Sequence, residues 1–169
     1  ERFGSILEHK TVCLVSDGGL EEEIAYGVGR IAGHLKLSNL ICFYDANQVQ
    51  LSCKVEDVMS HDLAGQYEAW GFRVIDVADG HNIAELRKAF KAAWAETEKP
   101  TIIIGHTTMA KGAIAEDGKS FEGAVSTHGQ PLNAAGASTD ATVKNLGGDP
   151  ADAFKIFDDV KAGFEARKE

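Results

Sequence analysis

Short apolar runs rich in β-branched residues alternate with longer amphipathic stretches, and this alternation is what most limits the fold of the chain. Each run is too short for a helix and lacks polar alternation, so we predict strands that are buried on both faces. The predicted strands cover residues 11–15, 40–44, 73–77 and 101–105. Buried strands that are separated by helices form a parallel sheet with helices on both faces, so we predict an α/β fold.

The predicted helices cover residues 20–35, 62–70 and 82–97, with two weaker helices at 138–146 and 158–167. A length of 169 residues is that of one ordinary domain, so we expect residues 1–169 to form a single domain. The alternation ends after residue 107, and we expect residues 108–136 to form a long functional loop. Residues 137–169 are expected to form a C-terminal helical extension.

The charge and the cysteines limit the classes of partner and the compartment. With 26 acidic and 17 basic residues the net charge is −9, and because nucleic-acid binding needs a basic face we expect no nucleic-acid partner. No apolar run approaches the roughly 18–20 residues of a membrane helix, and the first residues lack the features of a signal peptide, so we expect no membrane partner. Three cysteines without CxxC spacing predict packed thiols in a reducing compartment, the cytoplasm, and no disulfide framework.

Polar residues follow the first two predicted strands at the point where each strand ends. Asp17 follows the first strand, and Asn47 follows the second strand 30 residues later. Ligands of open parallel sheets bind at the carboxyl ends of the strands, so Asp17 and Asn47 would share one rim if the two strands are neighbours. Their oxygen atoms and a backbone carbonyl suit Mg²⁺ or Ca²⁺, and Gly18 and Gly19 would let a phosphate approach backbone N–H groups. The alternative is that both segments are ordinary turns without a ligand.

Five segments in one order resemble the transketolase family. Ser16-Asp17-Gly18-Gly19, followed by Asn47, resembles the motif that binds thiamine diphosphate in this family. The other matching segments are residues 32–47, 67–72, 98–103 and 127–132. The resemblance covers about residues 11–132, and it implies a thiamine-diphosphate-binding domain of the diphosphate-binding (PP) type.

The resemblance also implies roles for individual residues. In the family pattern, Asp17, the Asn47 side chain and the Val49 carbonyl would hold a divalent metal, Mg²⁺ or Ca²⁺. Gly18 and Asn47 would contact the diphosphate of thiamine diphosphate. His128 would reach from the loop toward the diphosphate and the substrate, and would act as the catalytic residue of this chain.

The implied reaction is the transfer of a two-carbon ketol unit between sugar phosphates, as in the pentose phosphate pathway. The sequence contains no counterpart of the family's pyrimidine-binding domain or of its upstream histidines, so we expect a complementary transketolase chain or domain, in a homodimer or a hetero-oligomer. Two alternatives stay open. One is a non-catalytic, stand-alone module that binds diphosphate and metal or serves as an interaction module. The other is a different thiamine-diphosphate enzyme, similar to deoxyxylulose-phosphate synthase.

Some positions depart from the family pattern or have another interpretation. Ser16 replaces a glycine, which requires a negative φ at that position, and Glu22 matches an acidic position at the family's subunit interface. The motif Gly27-x-Gly29-x-x-x-Gly33 superficially resembles a dinucleotide loop, but it lies inside a predicted helix and we interpret it as a helix-packing contact. Four further side chains are expected in the core without a chemical role: Cys13, Cys42, Trp70 and Trp94.

Overall fold

The computed structural model describes residues 8–168 of the chain. Within these residues the chain forms four strands: β1 (Thr11–Ser16), β2 (Leu40–Ala46), β3 (Arg73–Val77) and β4 (Thr101–His106). They form one parallel sheet in the order β1-β2-β4-β3. The predicted parallel α/β sheet is therefore confirmed, and each observed strand overlaps a predicted one.

Six α-helices accompany the sheet over the same residues: α1 (Asp17–Glu21), α2 (Glu23–His34), α3 (Leu63–Ala69), α4 (Ile83–Trp94), α5 (Thr139–Asn145) and α6 (Asp158–Glu165). Helix α4 begins as predicted, because the Asn82 side chain accepts hydrogen bonds from the backbone N–H groups of Ala84 and Glu85. It ends before residue 97, the end that the sequence predicts. No helix within residues 8–168 is long and apolar enough to cross a membrane.

The bounds of the predicted helix at 20–35 are wrong, because the structure has two helices that are separated at Glu22. The backbone of Glu22 is extended, with φ −66° and ψ 133°. Helix α1 follows β1 directly, so that Asp17 is its first residue. Among the three consecutive acids of this segment, Glu23 lies in the first turn of α2. The strand-to-helix junction, and not a loop, therefore fixes the position of Asp17.

Two hydrophobic clusters cover the two faces of the sheet. The first packs strands against α1, α2 and α3, and its buried members are Leu20, Ala32, Tyr44, Ala46, Tyr67, Phe72, Ile102 and Ile104. The second packs strands against α4, and its buried members are Ile41, Val77, Ala89, Ala93 and Ile103. Helices are therefore present on both faces, as predicted, and the central strands β2 and β4 contribute six of these thirteen buried residues.

Strand β1 is exposed, although its apolar sequence predicts a buried strand. It lies at the edge of the sheet, and Leu14 is 76% exposed. Val12 and Leu14 pair with Ile41 and Phe43, which lie on the face that α4 covers farther along the sheet. Within the described residues nothing buries these two side chains of β1. Cys13 is exposed as well, so its expected burial is wrong. The reason is the same: an edge strand is buried only where another element covers it.

Two glycines of α2 allow a close contact with the end of α3. A Cβ atom at Gly33 would lie 1.8 Å from the carbonyl oxygen of Trp70, and one at Gly29 would lie 2.9 Å from the Trp70 ring. The helix-packing interpretation is confirmed for these two positions, whereas a Cβ at Gly27 would meet nothing within 4 Å. Trp70 packs against the first hydrophobic cluster, as expected. Trp94 does not belong to the core, because it is 56% exposed.

Residues 107–138 form an irregular segment that hydrogen bonds attach to α5. The backbone N–H of Ile114 donates to Thr142 Oγ1 over 3.1 Å, and Asn145 Nδ2 donates to the Gly112 carbonyl over 2.8 Å. A 3₁₀ turn at Val125–Thr127 comes directly before His128. The first part of this segment is therefore held by contacts with the helix that follows it, and a tight turn comes directly before His128.

Candidate functional site

Asp17 and Asn47 lie at one edge of the sheet, directly after the carboxyl ends of β1 and β2. The two strands pair in parallel with Ser16 opposite Asp45, so the predicted neighbourhood of the strands is confirmed. Both side chains are buried, and Asp17 is only 1% exposed. The sheet therefore brings a buried carboxylate and a buried amide to the same rim.

The Asp17 carboxylate is held at both of its oxygen atoms. Tyr44 donates its hydroxyl to Oδ1 over 2.5 Å, and the backbone N–H of Gln48 donates to Oδ2 over 3.1 Å. Burial raises the pKa of Asp17 above its ordinary value, and the two hydrogen bonds only partly offset this effect. Burial also raises the pKa of Tyr44, so its hydroxyl stays protonated and donates. An ionised carboxylate at this place is costly unless a cation compensates its charge.

The turn after β2 has a backbone conformation that non-glycine residues rarely adopt. Gln48 has φ +65°, which costs about 1–2 kcal/mol relative to ordinary backbone. Asn47 Oδ1 accepts the backbone N–H of Val49 over 3.0 Å, and Gln50 Nε2 donates to Glu21 Oε1 over 2.5 Å. These bonds tie the turn to itself and to α1. Residues in strained backbone conformations are concentrated at functional sites, where the surroundings hold them in place.

The oxygen donors at this rim match the chemistry of a hard divalent cation. Asp17 supplies a carboxylate, Asn47 an amide oxygen and Val49 a backbone carbonyl, which is a ligand set that suits Mg²⁺ or Ca²⁺. Within residues 8–168 no group of three or more His, Cys, Asp or Glu side chains is arranged to hold a metal. The candidate set therefore depends on one buried carboxylate, with neutral oxygen donors beside it.

The loop that contains His128 lies against the turn that follows Val49. A Cβ atom at Gly129, which has φ +69°, would lie 2.7 Å from Leu51 Cδ2. His128 Nδ1 is buried and has no hydrogen-bond partner within the described part of the chain. A buried imidazole nitrogen without a partner is rare in folded proteins and suggests that a missing group completes it. The structure thus brings His128 to the segment that also carries the candidate metal ligands.

The strand-to-helix junction leaves open space beside its first glycine. A Cβ atom at Gly18 would meet nothing within 4 Å, and Gly18 is exposed, so its backbone is accessible to a ligand. Ser16 has φ −108°, so the serine fits where the family pattern has a glycine, as expected. Glu22 is exposed beside this junction. The region has room for an anionic group next to Asp17.

Sequence reasoning missed the side chains that hold this rim together. It did not predict the Tyr44–Asp17 hydrogen bond or the positive φ of Gln48. It also missed the hydrogen bond from Thr107 Oγ1 to Asp45, which joins the ends of β4 and β2. The alternation of side chains along a strand gave one indication of the Tyr44–Asp17 contact. Tyr44 and Ala46 lie on the same face of β2, and this face packs against α1, which carries Leu20, and not against α4.

Three further side chains, those of His81, His106 and Cys42, have ordinary structural roles. His81 Nε2 accepts the backbone N–H of Thr108 over 2.8 Å, and His106 lies 3.0 Å from Asp76. Burial raises the pKa of the Cys42 thiol to about 12, so this cysteine is unreactive, as expected. These groups therefore stabilise the fold around the rim and need no chemical role.

Comparison with known proteins assigns the family. Residues 2–169 match the family model described as "Transketolase, thiamine diphosphate binding domain". Transketolase 2 of Xanthobacter flavus is 37% identical over 97% of this chain, which covers 23% of that protein. The crystal structure of the Campylobacter jejuni transketolase superposes with a TM-score of 0.81 at 34% identity, over 93% of this chain and 23% of that one.

A Pichia stipitis transketolase, solved in complex with sedoheptulose 7-phosphate, superposes with a TM-score of 0.83 at 27% identity. That match covers 94% of this chain and 22% of the Pichia stipitis chain. The chain thus spans less than a quarter of the length of the transketolases compared here. Both the sequence match and the structural match extend over nearly all of the described residues. The chain therefore belongs to the transketolase family and matches its thiamine diphosphate binding domain.

Proposed function

We propose that the chain is the diphosphate-binding part of a transketolase, which transfers a two-carbon ketol unit from a ketose phosphate to an aldose phosphate. The observation that carries the proposal is the buried Asp17 carboxylate, at a rim that also presents Asn47, Val49 and the His128 loop. In this proposal residues 1–169 are one thiamine-diphosphate-binding domain, with 108–136 as its active-site loop and 137–169 as a helical extension. Its proposed location is the cytoplasm, because its three cysteines are free thiols.

The residues of the rim would hold the cofactor through a metal. Asp17, the Asn47 side chain and the Val49 carbonyl would bind Mg²⁺ or Ca²⁺, and Gly18 and Asn47 would contact the diphosphate. The match to a thiamine diphosphate binding domain supports this assignment. Thiamine diphosphate supplies the carbon–carbon bond chemistry when bound, and the protein supplies binding, orientation and electrostatics. The net charge of −9 fits an anion that is bound through a metal and not through a basic surface.

His128 would be the catalytic side chain that this domain contributes. Its buried Nδ1 lacks a hydrogen-bond partner among residues 8–168, which supports a contact with a bound group. The substrate class is supported by the Pichia stipitis transketolase, which was solved with a sugar phosphate. We propose that His128 positions the diphosphate and the sugar phosphate through its imidazole nitrogen atoms.

Replacing His128 with alanine is expected to lower kcat/KM for ketol transfer by about 10²–10⁴, the range typical of a catalytic imidazole. The measurement is a coupled ketol-transfer assay on the chain together with a transketolase chain that supplies the pyrimidine-binding domain. Lys88→Ala, at an exposed position of α4, is the control and should leave kcat/KM unchanged. An unchanged kcat/KM in the His128 variant would show that His128 has no role in ketol transfer.

The complementary chain or domain would cover apolar surface that the described residues leave open. Helix α2 exposes large apolar side chains at helical spacing: Ile24, Val28, Ile31 and Leu35. Exposed apolar patches of this kind typically mark protein–protein contacts. The chain spans 23% of the length of its Xanthobacter flavus relative. In this proposal a complementary chain or domain packs on this face and supplies the rest of the site. A homodimer or a hetero-oligomer would satisfy this requirement.

Replacing Ile24 with aspartate is expected to weaken association with the complementary chain by roughly 30-fold or more, because a buried unpaired charge costs at least about 2 kcal/mol in an interface. The thermal midpoint of the isolated chain should barely change, since Ile24 is 75% exposed. Sedimentation velocity measures the association, and Lys88→Asp on α4 is the control. Association that is equally strong in the Ile24 variant would exclude α2 as the contact.

A further inference from the structure

Tyr44 is buried in the first hydrophobic cluster, and its hydroxyl reaches the Asp17 carboxylate. The ring comes from β2 and is 4% exposed, while its hydroxyl donates to Asp17 Oδ1 over 2.5 Å. Asp17 lies on the neighbouring segment, at the first residue of α1. The contact therefore joins the core of the sheet to the one carboxylate of the candidate metal site.

The hydrogen bonds of Asp17 restrict how its carboxylate can turn. Oδ1 accepts from Tyr44 and Oδ2 accepts from the Gln48 N–H. A carboxylate oxygen has two lone pairs, so each oxygen keeps one acceptor direction after these bonds are made. The Tyr44 ring is restrained, because it is buried in the cluster that also contains Leu20, Ile102 and Ile104. The free lone pairs of Asp17 therefore have fixed directions.

We propose that Tyr44 is a positioning residue that orients Asp17 for the divalent metal and so sets the metal affinity. The proposal rests on the proposed function only in that Asp17 is a metal ligand. Hydrogen-bond partners of metal ligands typically contribute 10–100-fold to metal affinity, because they fix the ligand's orientation. Tyr44 does not touch the metal or the substrate in this proposal, and its effect passes entirely through the Asp17 carboxylate.

The test is the binding of Mn²⁺, alone and with thiamine diphosphate, to the 169-residue chain and its variants, followed by electron paramagnetic resonance. Tyr44→Phe removes the hydroxyl and keeps the ring, and it is expected to raise the dissociation constant of Mn²⁺ by about 10–100-fold. Tyr67→Phe is the matched control, because it removes a hydroxyl from the same buried cluster and leaves the bonds of Asp17 intact. It should leave the Mn²⁺ affinity unchanged.

The thermal midpoint in EDTA separates positioning from general structural damage. In EDTA we expect Tyr44→Phe to have the lower midpoint of the two, because it removes a hydrogen bond from the buried Asp17 carboxylate. Each variant is therefore compared with its own midpoint in EDTA, and only Tyr44→Phe should lose most of the rise in midpoint that added Mn²⁺ gives the wild type. A Mn²⁺ dissociation constant that is the same in Tyr44→Phe and the wild type would overturn the proposal. A wild type that binds no more Mn²⁺ than Asp17→Asn would instead overturn the proposed metal site, and with it the role of Tyr44.

A measurement on the wild-type sequence does not depend on the folding of a variant. The chain has three tyrosines, so incorporation of 3-fluorotyrosine gives three ¹⁹F resonances. We expect saturation with Mg²⁺ to shift the Tyr44 resonance and to leave that of Tyr67 in place. A Tyr44 resonance that does not move on saturation would also overturn the proposal.

Discussion

Replacing Asp17 with asparagine is expected to weaken metal binding by more than about 100-fold, beyond the 10–100-fold that is typical of groups outside the ligand shell. Asp17 is the single carboxylate of the candidate ligand set, and the remaining donors are neutral oxygen atoms. Metal-dependent binding of thiamine diphosphate and ketol transfer should be lost together. Calorimetric titration of Mg²⁺ and thiamine diphosphate measures the first loss, and the coupled assay measures the second.

The same substitution is expected to stabilise the metal-free protein at neutral pH. The pKa of Asp17 is raised in the folded state, so the folded state binds this proton more tightly than the unfolded state does. The stability that comes from the protonated carboxyl is therefore present at low pH, and it is lost as the pH rises through the raised pKa. Asparagine is neutral throughout. It can accept from the Gln48 N–H with its oxygen and donate to the Tyr44 hydroxyl with its nitrogen.

The thermal midpoint of Asp17→Asn in EDTA should exceed that of the wild type by a few degrees at pH 7, since about 1 kcal/mol corresponds to roughly 2–4 °C in a domain of this size. The difference should vanish at low pH, where both side chains are neutral. Glu68→Gln, an exposed acid on α3, should not show this pattern. A metal-free variant that is less stable than the wild type at pH 7 would show that Asp17 serves the fold and not a ligand.

Replacing Gly33 with alanine is expected to destabilise the protein by about 3 kcal/mol or more, because the added methyl group has no space. The added Cβ would lie 1.8 Å from the carbonyl oxygen of Trp70, and a backbone atom cannot move aside as a flexible side chain can. To relieve this clash, helix α2 would have to move away from the C-terminal end of α3. Chemical denaturation measures the free energy of unfolding.

Gly27 provides the matched control for Gly33, because it lies in the same helix with open space around it. Gly27→Ala should stabilise the protein by up to about 1 kcal/mol, through the helix propensity of alanine. The two substitutions add the same methyl group, so their opposite signs would isolate the contact with Trp70. Equal effects at both positions would mean that α2 does not pack against Trp70 as described.

The parts of the fold that the sequence predicted well depend on local pattern. The strand at residues 101–105 and the start of the helix at residue 82 were both predicted from such patterns, and both were confirmed. Burial could not be predicted in this way for β1, because Leu14 belongs to an equally apolar run and yet is exposed. Burial of an edge strand depends on what packs over it, and a short apolar run carries no information about that neighbour.

The candidate site also has parts that the sequence predicts and parts that it does not. The positions of Asp17 and Asn47 at strand ends followed from the spacing of the strands, because parallel strands end at one rim. The left-handed backbone of Gln48 could not be predicted, since glutamine has no preference for that conformation. The Tyr44–Asp17 bond joins residues 27 positions apart, and such contacts appear only when the sheet is assembled.

The most direct test of the account is the titration of thiamine diphosphate into the wild-type chain, paired with a transketolase chain that supplies the pyrimidine-binding domain. The titration is done with Mg²⁺ and again after chelation with EDTA, and ketol transfer is assayed in the same samples. We expect saturable binding and ketol transfer with Mg²⁺, and the loss of both in EDTA. Binding of equal affinity in EDTA, or no binding with Mg²⁺, would contradict the metal-dependent diphosphate site at Asp17 and Asn47.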